Sequence, residues 1–560
     1  RYVDSGLASE ESYYYYIRAR DGMGNLSAAS GTLEAWTGAP YLAGWPGAAT
    51  NVISSSVSTA DLDRDGKLEV IAGSRDECVY VWRYDGTVAP GWPKRTGDVV
   101  NASPAVGNLD SDPQLEIVVG SRDGYLYAWN YDGTGLISPN GVFRQLGGYI
   151  TASAVIDDLD GDHDFEIVAA NSMGQVYIWH HDGTGWSRPN GYFAAAGLVI
   201  DSAPSVADID RDNQVEIIVT STGVGTYAWN LDGTGVTQPS GQFATMGADG
   251  SAAIGDIDGD GDLELVTGSV YNTQLVAYNH LGGYKPGWPQ TVDNYILSSA
   301  ALANLDADGR LDIIIGTTRR TGVDTASVYV FSDAGVLRPG WPRRARGDFI
   351  STPVVGDIDG DMQAEIVTGC SDGRIYAWEK DGTDVKGWPR NLTYEFGSAA
   401  SICDLDGDGH VDLVIGGYDA LIHVFEINAP YNKSTMEWPK LHHDIYNSNL
   451  YRGPSRSDVP PVGPTVPAAL TLMCYPSPAI SSVHVWLGVP SIDAGKVSVE
   501  VYDIRGRLVR QVADRVFEPG FHDVEWNGAD ADGQHVASGI YFVKVSQMGH
   551  NLNRKIVLVR

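Results

Sequence analysis

At 560 residues the chain exceeds the size at which one hydrophobic core keeps growing, so several folded units or an internal repeat are expected. Hydrophobic residues make up 43% and charged residues 19%, and 67 Gly with 29 Tyr and 15 Trp favour strands and tight turns over helices. A formal net charge of -33 argues against nucleic acid or anionic lipid as a partner and points instead to cations.

The chain opens at Arg1 with neither methionine nor signal peptide, so a cut end is expected there, and no apolar run reaches the roughly 18 to 20 residues that span a bilayer. The stretch YYYYIRARDGMGNLSAAS within residues 1–37 resembles the last two strands of a fibronectin type III domain, which implies a parent protein continuing upstream. Four cysteines, Cys78, Cys370, Cys403 and Cys474, lie scattered without CxxC or Cys/His spacing, so neither a zinc site nor a disulfide framework is indicated.

From residue 38 to 450 one unit repeats eight times. Its signature is a nine-residue acidic stretch, numbered here as loop positions 1 to 9: DLDRDGKLE at Asp61, NLDSDPQLE at Asn108, DLDGDHDFE at Asp158, DIDRDNQVE at Asp208, DIDGDGDLE at Asp256, NLDADGRLD at Asn304, DIDGDMQAE at Asp357 and DLDGDGHVD at Asp404. Successive starts lie 47 to 53 residues apart, a period that suits one four-stranded propeller blade. Each unit runs from a small-residue strand (NASPAVGNL) through the acidic loop to an apolar strand (EIVVGS). A turn, an aromatic strand (YLYAWN), DGT and a fourth strand, often ending in GWP, follow. The Asp-Gly pairs supply the positive-φ residues that tight hairpins need. Ala, Ser and Gly in the first strand let eight strands converge around an axis. Trp82, Trp129, Trp179, Trp229 and Trp378, with Tyr278, Phe331 and Phe425 at equivalent places, are expected to pack blade against blade rather than stack on a ligand. Either PYLAGWP before the first repeat or MEWPKLHHDIYNSNLY after the last is available to complete the final blade.

These repeats resemble the FG-GAP or VCBS type repeats of integrin-α-like propellers and of many secreted bacterial proteins, over about residues 41 to 450. The resemblance implies an eight-bladed β-propeller with calcium in hairpin loops at the blade edges. The loop chemistry agrees, because calcium takes six to eight oxygens, and carboxylates at positions 1, 3, 5 and 9 with a backbone carbonyl at 7 wrap one ion. The side-chain ligands are then Asp61, Asp63, Asp65 and Glu69; Asn108, Asp110, Asp112 and Glu116; Asp158, Asp160, Asp162 and Glu166; Asp208, Asp210, Asp212 and Glu216. In the second half of the ring they are Asp256, Asp258, Asp260 and Glu264; Asn304, Asp306, Asp308 and Asp312; Asp357, Asp359, Asp361 and Glu365; Asp404, Asp406, Asp408 and Asp412. So many like charges without counter-ions destabilise a fold, and up to eight Ca2+ would roughly halve the formal charge of -33. Loops with Gly at position 6, at Asp61, Asp256, Asn304 and Asp404, are expected to be tightest, with Asp256 and Asp404 staying filled as calcium falls. The Asn108 loop, with Pro113 at position 6 and a neutral first position, is expected to be distorted and the first to empty.

Residues 451–467, RGPSRSDVPPVGPTVPA, read as a Pro-rich linker, and a second all-β unit follows at 468–560. Its alternating strands suit a β-sandwich. Tyr475-Pro476, Tyr502-Asp503, Gly506-Arg507, Trp526-Asn527-Gly528, Gly539-Ile540-Tyr541 and the Lys555 to Arg560 end carry a resemblance to the hook-cap type of Ig-like domain and to type IX secretion sorting domains. A sorting domain implies passage to the bacterial cell surface, and an Ig-like cap is the other reading. ADADG at Ala529 is expected to be a hairpin turn rather than half a calcium loop.

No nucleophile and base, no catalytic carboxylate pair and no catalytic metal set stands out, so the chain is expected to be no enzyme in itself. The vicinal His442-His443 is expected to serve packing or tail docking rather than metal binding. The function expected is a secreted or cell-surface, calcium-binding module of a larger exported protein, for adhesion, ligand binding or extracellular assembly. Its partner is an extracellular protein, a glycan or another copy of itself, with no membrane insertion. The alternative is a propeller-type polysaccharide lyase, or an accessory region of a secreted protease or glycanase.

Overall fold

The computed structural model describes residues 40–451 apart from positions 111, 163, 270, 272, 321, 393 and 445. Outside that span it describes 12–15, 18, 33–36, 471–475, 483–489, 496–517, 520–531, 534–547 and 550–558. The chain divides into two compact units, the second beginning, apart from a three-residue piece, at Val459. Among the described residues there is no α-helix, and none is long and apolar enough to cross a membrane.

The first unit is an eight-bladed β-propeller, each blade a four-stranded antiparallel sheet. In the second blade the strands are Ala105–Gly107, Glu116–Gly120, Tyr125–Trp129 and Val142–Gln145, hydrogen-bonded in chain order from the axis outward. The innermost strands are three residues long and wholly buried, such as Ser58–Ala60, Ala105–Gly107 and Ala301–Ala303. Each neighbours the next around the axis, and Ser401–Cys403 of the eighth blade returns to Ser58–Ala60 of the first, closing the ring. The second strands are buried at every position apart from half-buried His410 at the start of the eighth, because both faces of a blade meet a neighbour.

The recurrent aromatics pack between blades, as their periodic placement predicts. Trp82, Trp129, Trp179, Trp229 and Trp378 are buried, and each ring stacks on the tyrosine two residues before it. The GWP tryptophans join blades: the indole N–H groups of Trp45, Trp92, Trp288 and Trp341 donate to carbonyls of Tyr84, Tyr131, Asp333 and Lys380 in the following blade, at 2.7–2.9 Å.

The two candidate closing segments take different jobs. Gly47–Ala48 supplies the outer strand of the last blade by pairing with Leu421–Pro430, and Tyr41 adds a bridge to Phe425 and stacks on its ring. The other segment runs down the central axis. Trp438 and Val355 exchange backbone hydrogen bonds at 2.8 and 2.9 Å; Ile402 N–H donates to Pro439, Ile156 N–H to Tyr446 and Ile254 N–H to Asn449. Side chains complete the circuit, with Lys440 Nζ on Thr59 O, Asn447 Nδ2 on Ala154 O, Asn449 Nδ2 on Pro204 O and Glu437 Oε2 accepting from Asn304 N–H. Tyr446 also faces Gly107 of the second blade. Residues 435–451 thus reach all eight blades and cap polar groups on the inner strand edges, which would otherwise lie unpaired along the axis. His442 and His443 belong to this plug: His442 Nδ1 meets Asn449 Oδ1, and His443 packs edge-on against Trp438 and Tyr451.

The second unit is an Ig-like sandwich of a three-stranded sheet (Thr471–Tyr475, Val483–Val489, Gly520–Trp526) and a four-stranded sheet. The latter orders Leu508–Val516, Lys496–Asp503, Gly539–Gln547 and His550–Leu558. Alternating Val497, Val499 and Val501 face a core with Val543, Val545, Trp526 and Ile556. At the ends of the Ala529 stretch, Asp530 N–H donates to Gln534 O and Ala529 bridges His535, while Asp532 and Gly533 lie outside the described residues. Cys78 and Cys370 are free thiols. Of residues 1–37, the strands Ser12–Tyr15 and Leu33–Trp36 pair antiparallel. The rest of the fibronectin-like stretch, apart from Arg18, and the linker beyond Tyr451 lie outside the described residues.

Candidate metal centres

Each acidic loop links the innermost strand of a blade to its second strand, and position 9 is the first or, in the last blade, the third residue of that second strand. This puts the last carboxylate inside the fold, position 1 half-buried or, at Asp357, buried, and positions 3 and 5 at or near the surface. In seven loops the position 9 carboxylate accepts from the position 2 N–H at 2.6–3.0 Å: Glu69 from Leu62, Glu116 from Leu109, Glu166 from Leu159, Glu216 from Ile209, Glu264 from Ile257, Glu365 from Ile358 and Asp412 from Leu405. One oxygen is thereby fixed and the other turned into the loop. In Glu116, Glu216, Glu365 and Asp412 that second oxygen is buried and accepts no hydrogen bond.

The other ligand positions are drawn in by the loop backbone. Position 5 N–H donates to the position 3 carboxylate in the Asp61, Asn108, Asp208, Asp256, Asp357 and Asp404 loops. Position 6 N–H donates to position 1 at 2.9–3.1 Å in five loops: Gly66 to Asp61, Asn213 to Asp208, Gly261 to Asp256, Met362 to Asp357 and Gly409 to Asp404. Carboxylate oxygens of Asp61, Asp63 and Glu69 lie within 4.8 Å of one another, as do those of Asp110, Asp112 and Glu116, of Asp158, Asp160 and Glu166, and of Asp208, Asp210 and Glu216. Three converging carboxylates around an unpaired buried oxygen fit a hard divalent cation, which would supply the missing charge.

Burial pushes the position 9 carboxyls far above their ordinary range, Glu69, Glu116, Glu216 and Asp412 to about 8 and Glu365 to about 9, with the neighbouring carboxylates adding to the rise.

At position 6, Gly66, Asn213, Gly261, Gly309, Met362 and Gly409 take positive φ, and Met362, at φ 70°, is held by its N–H bond to Asp357. One expectation about loop shape is corrected. The Asn108 loop is not distorted at its carboxylates. Pro113 has no N–H to give position 1, and Asn108 compensates by donating its own amide, Nδ2, to Asp112 O at 2.8 Å. The neutral residue and the proline are therefore a matched pair, and an aspartate at 108 would leave its carboxylate without that donor.

The fifth and sixth loops contain residues that pattern reading overlooked. Lys285 Nζ lies between Asp258 and Glu264, and Arg338 between Asp306 and Asp312. In the third loop His180 Nδ1 touches Glu166, at 2.9 Å. For Lys285 and Arg338 the signal was available in the sequence as a cation seven residues after the third-strand aromatic.

FG-GAP-like repeats match residues 158–219, 208–267 and 357–415, and an FlgD Ig-like domain matches 487–550. The chain contains both kinds of unit. No curated protein shows a significant match. Among solved structures, the chain is similar to BBS1N, crystallised in complex with ARL6DN, at 10% identity and TM-score 0.41, covering 70% of this chain and 97% of that one. It is similar to the V. cholerae biofilm matrix protein Bap1 at 14% identity and TM-score 0.34, covering 93% and 83%. It is also similar to PorZ, a bacterial surface component of the type-IX secretion system of Porphyromonas gingivalis, at 13% and 0.29, covering 88% and 74%. At such scores none of the three bears on this chain's function.

Proposed function

We propose that the chain is a non-catalytic, calcium-loaded propeller module of an exported protein, working outside the cell in adhesion, ligand binding or assembly. One observation carries the reading: buried position 9 carboxylates recur around the ring, and in Glu116, Glu216, Glu365 and Asp412 one oxygen is fixed by a backbone N–H while the other is buried and unpaired, beside further carboxylates of the same loop. Calcium serves here as a structural ion. Asp61, Asp63, Asp65 and Glu69 and their counterparts would hold it, and it would offset the charge of carboxylates that the fold has removed from water. Extracellular modules work at calcium affinities of about 10⁻⁴ to 10⁻³ M, a range met outside cells. The hook-cap type of Ig-like unit supports export through a type IX route, with the domain acting as the sorting signal.

The lyase alternative requires a cluster of cations open to an acidic glycan in the central channel. Here that channel is filled by residues 435–451, and Lys440, His442 and His443 are buried in packing the plug. We therefore predict no turnover when the chain is incubated with pectic or other acidic polysaccharides in calcium. A steady release of unsaturated product, abolished by a substitution at Lys440 or His442, would replace this reading with the lyase one.

A further inference from the structure

The eight loops share one backbone frame but do not share one electrostatic environment. In seven blades the residue seven places after the third-strand aromatic donates its N–H to the carbonyl just before that aromatic. These residues are Ala89, Leu136, Trp186, Val236, Lys285, Arg338 and Val385. The identical register places all seven side chains at one point of the blade, beneath the acidic loop. Five are apolar. Lys285 and Arg338 are cationic, and they belong to the Asp256 and Asn304 loops.

Lys285 is only 6% exposed, yet its ammonium reaches Asp258 at position 3 and, at 3.3 Å, Glu264 at position 9. Arg338 makes the equivalent span, with Nη1 3.0 Å from Asp306 at position 3 and Nε on Asp312 at position 9. Positions 3 and 9 converge in the Asp61, Asn108, Asp158 and Asp208 loops, whereas in the Asp256 loop the converging set is Asp256, Asp258 and Asp260, without Glu264. The contrast extends to hydrogen bonding. Glu116, Glu216, Glu365 and Asp412 each retain an unpaired buried oxygen, while Glu264 and Asp312 give that oxygen to the side-chain cation. In the Asn304 loop the substitution goes further, since Asp312 turns to Arg338 and no position 2 N–H bond to it is formed as in the other seven. His180 is a different case: its Nδ1 meets Glu166 at position 9, and carboxylate oxygens of Asp158, Asp160 and Glu166 still lie within 4.8 Å of one another.

A monovalent cation tethered between two carboxylates and a divalent ion at the same point repel each other strongly where water is excluded. We infer that Lys285 and Arg338 take the metal's place in the Asp256 and Asn304 loops, so that the ring binds six divalent ions and in two loops sets a side-chain cation against the position 3 and position 9 carboxylates. The inference rests on the calcium reading of the other six. It reverses the expectation that the Asp256 loop, with four acidic ligand positions and glycine at position 6, is among the tightest. It also gives the ring a sector of two adjacent blades, the fifth and sixth, whose cation is covalently attached and stays in place when calcium is withdrawn.

The test is the number of calcium ions per folded chain at saturation, measured by equilibrium dialysis of the full chain with elemental analysis. The parent chain is expected to hold six. Lys285→Leu and Arg338→Leu, which install the side-chain type that other blades carry at this point, are each expected to hold seven, and the double variant eight. The reverse change, Val236→Lys in the fourth blade, is expected to lower the count to five, and it keeps the test decisive if the leucine variants fail to fold. Eight ions in the parent, or a count that none of these substitutions moves, overturns the inference while leaving calcium binding intact. No ion in any variant removes the calcium reading and this inference with it.

Discussion

Chelating calcium is expected to unfold or severely destabilise the propeller while leaving the C-terminal sandwich transition where it was. At free calcium about tenfold above the dissociation constant each filled loop contributes RT ln 11, about 1.4 kcal/mol, so six loops contribute ~8 kcal/mol. That is as large as the whole stability of many domains, about 5 to 15 kcal/mol. The loops lie between Asp61 and Asp412, and the sandwich core of Val497, Val543 and Trp526 contains none of them.

The same account fixes the pH dependence. Without metal, Glu69, Glu116 and Glu216 titrate near 8 in the fold against about 4.5 in an unfolded chain, because burial disfavours their charge. A folded pKa above the unfolded one means that the metal-free fold is most stable below about pH 4.5 and loses stability as pH rises through 8. A bound divalent ion keeps the same groups ionised, and protons compete with it as pH falls. The difference in melting temperature between calcium and chelator is therefore expected to widen from pH 5 to pH 9. Scanning calorimetry at both pH values checks this, and a gap that stays constant or narrows contradicts it.

Trp438→Ala is expected to cost the propeller about 3 to 5 kcal/mol, a large effect for a residue outside every blade. Its side chain is 1% exposed, its backbone pairs with Val355, and His443 packs on its edge. Trp438→Phe is expected to cost much less, because it keeps most of the packing and removes an indole N–H that is buried without an acceptor. Tyr394→Ala, at a site 54% exposed, serves as the surface control and is expected to change stability by under about 0.5 kcal/mol. Denaturant midpoints for the three variants check the order. A Trp438→Ala chain as stable as the control would mean that the axial segment is not part of the propeller's core.

The blades were legible in the sequence because each is written locally. The acidic loop, the apolar strand and the aromatic strand recur at a near-constant period, and a period of two within VYVW or LYAW fixes which side chains face which neighbour. The Ig-like unit was legible for the same reason, through alternating strands such as KVSVEVYD.

The axial plug was not, because its partners are spread over about 340 residues, from Thr59 to Ile402, and its own sequence has no strand periodicity. His442, His443, Asn447 and Asn449 all take positive φ there, a conformation that the ring imposes and local propensity does not announce. In the loops, the ligand spacing was readable but the occupant was not. Lys285 and Arg338 sit 21 and 26 residues beyond Glu264 and Asp312, on the far side of a hairpin, and only the blade register brings them under their own loops. Pro113 misled for a related reason: its effect on the turn was judged alone, while the structure pairs it with Asn108.

The most direct test of the central claim is diffraction from crystals of the full chain grown in calcium, measured where calcium scatters anomalously. The account predicts peaks in the Asp61, Asn108, Asp158, Asp208, Asp357 and Asp404 loops, each ringed by six to eight oxygens at about 2.3 to 2.6 Å. Those six loops holding only water between their carboxylates at saturating calcium would contradict it.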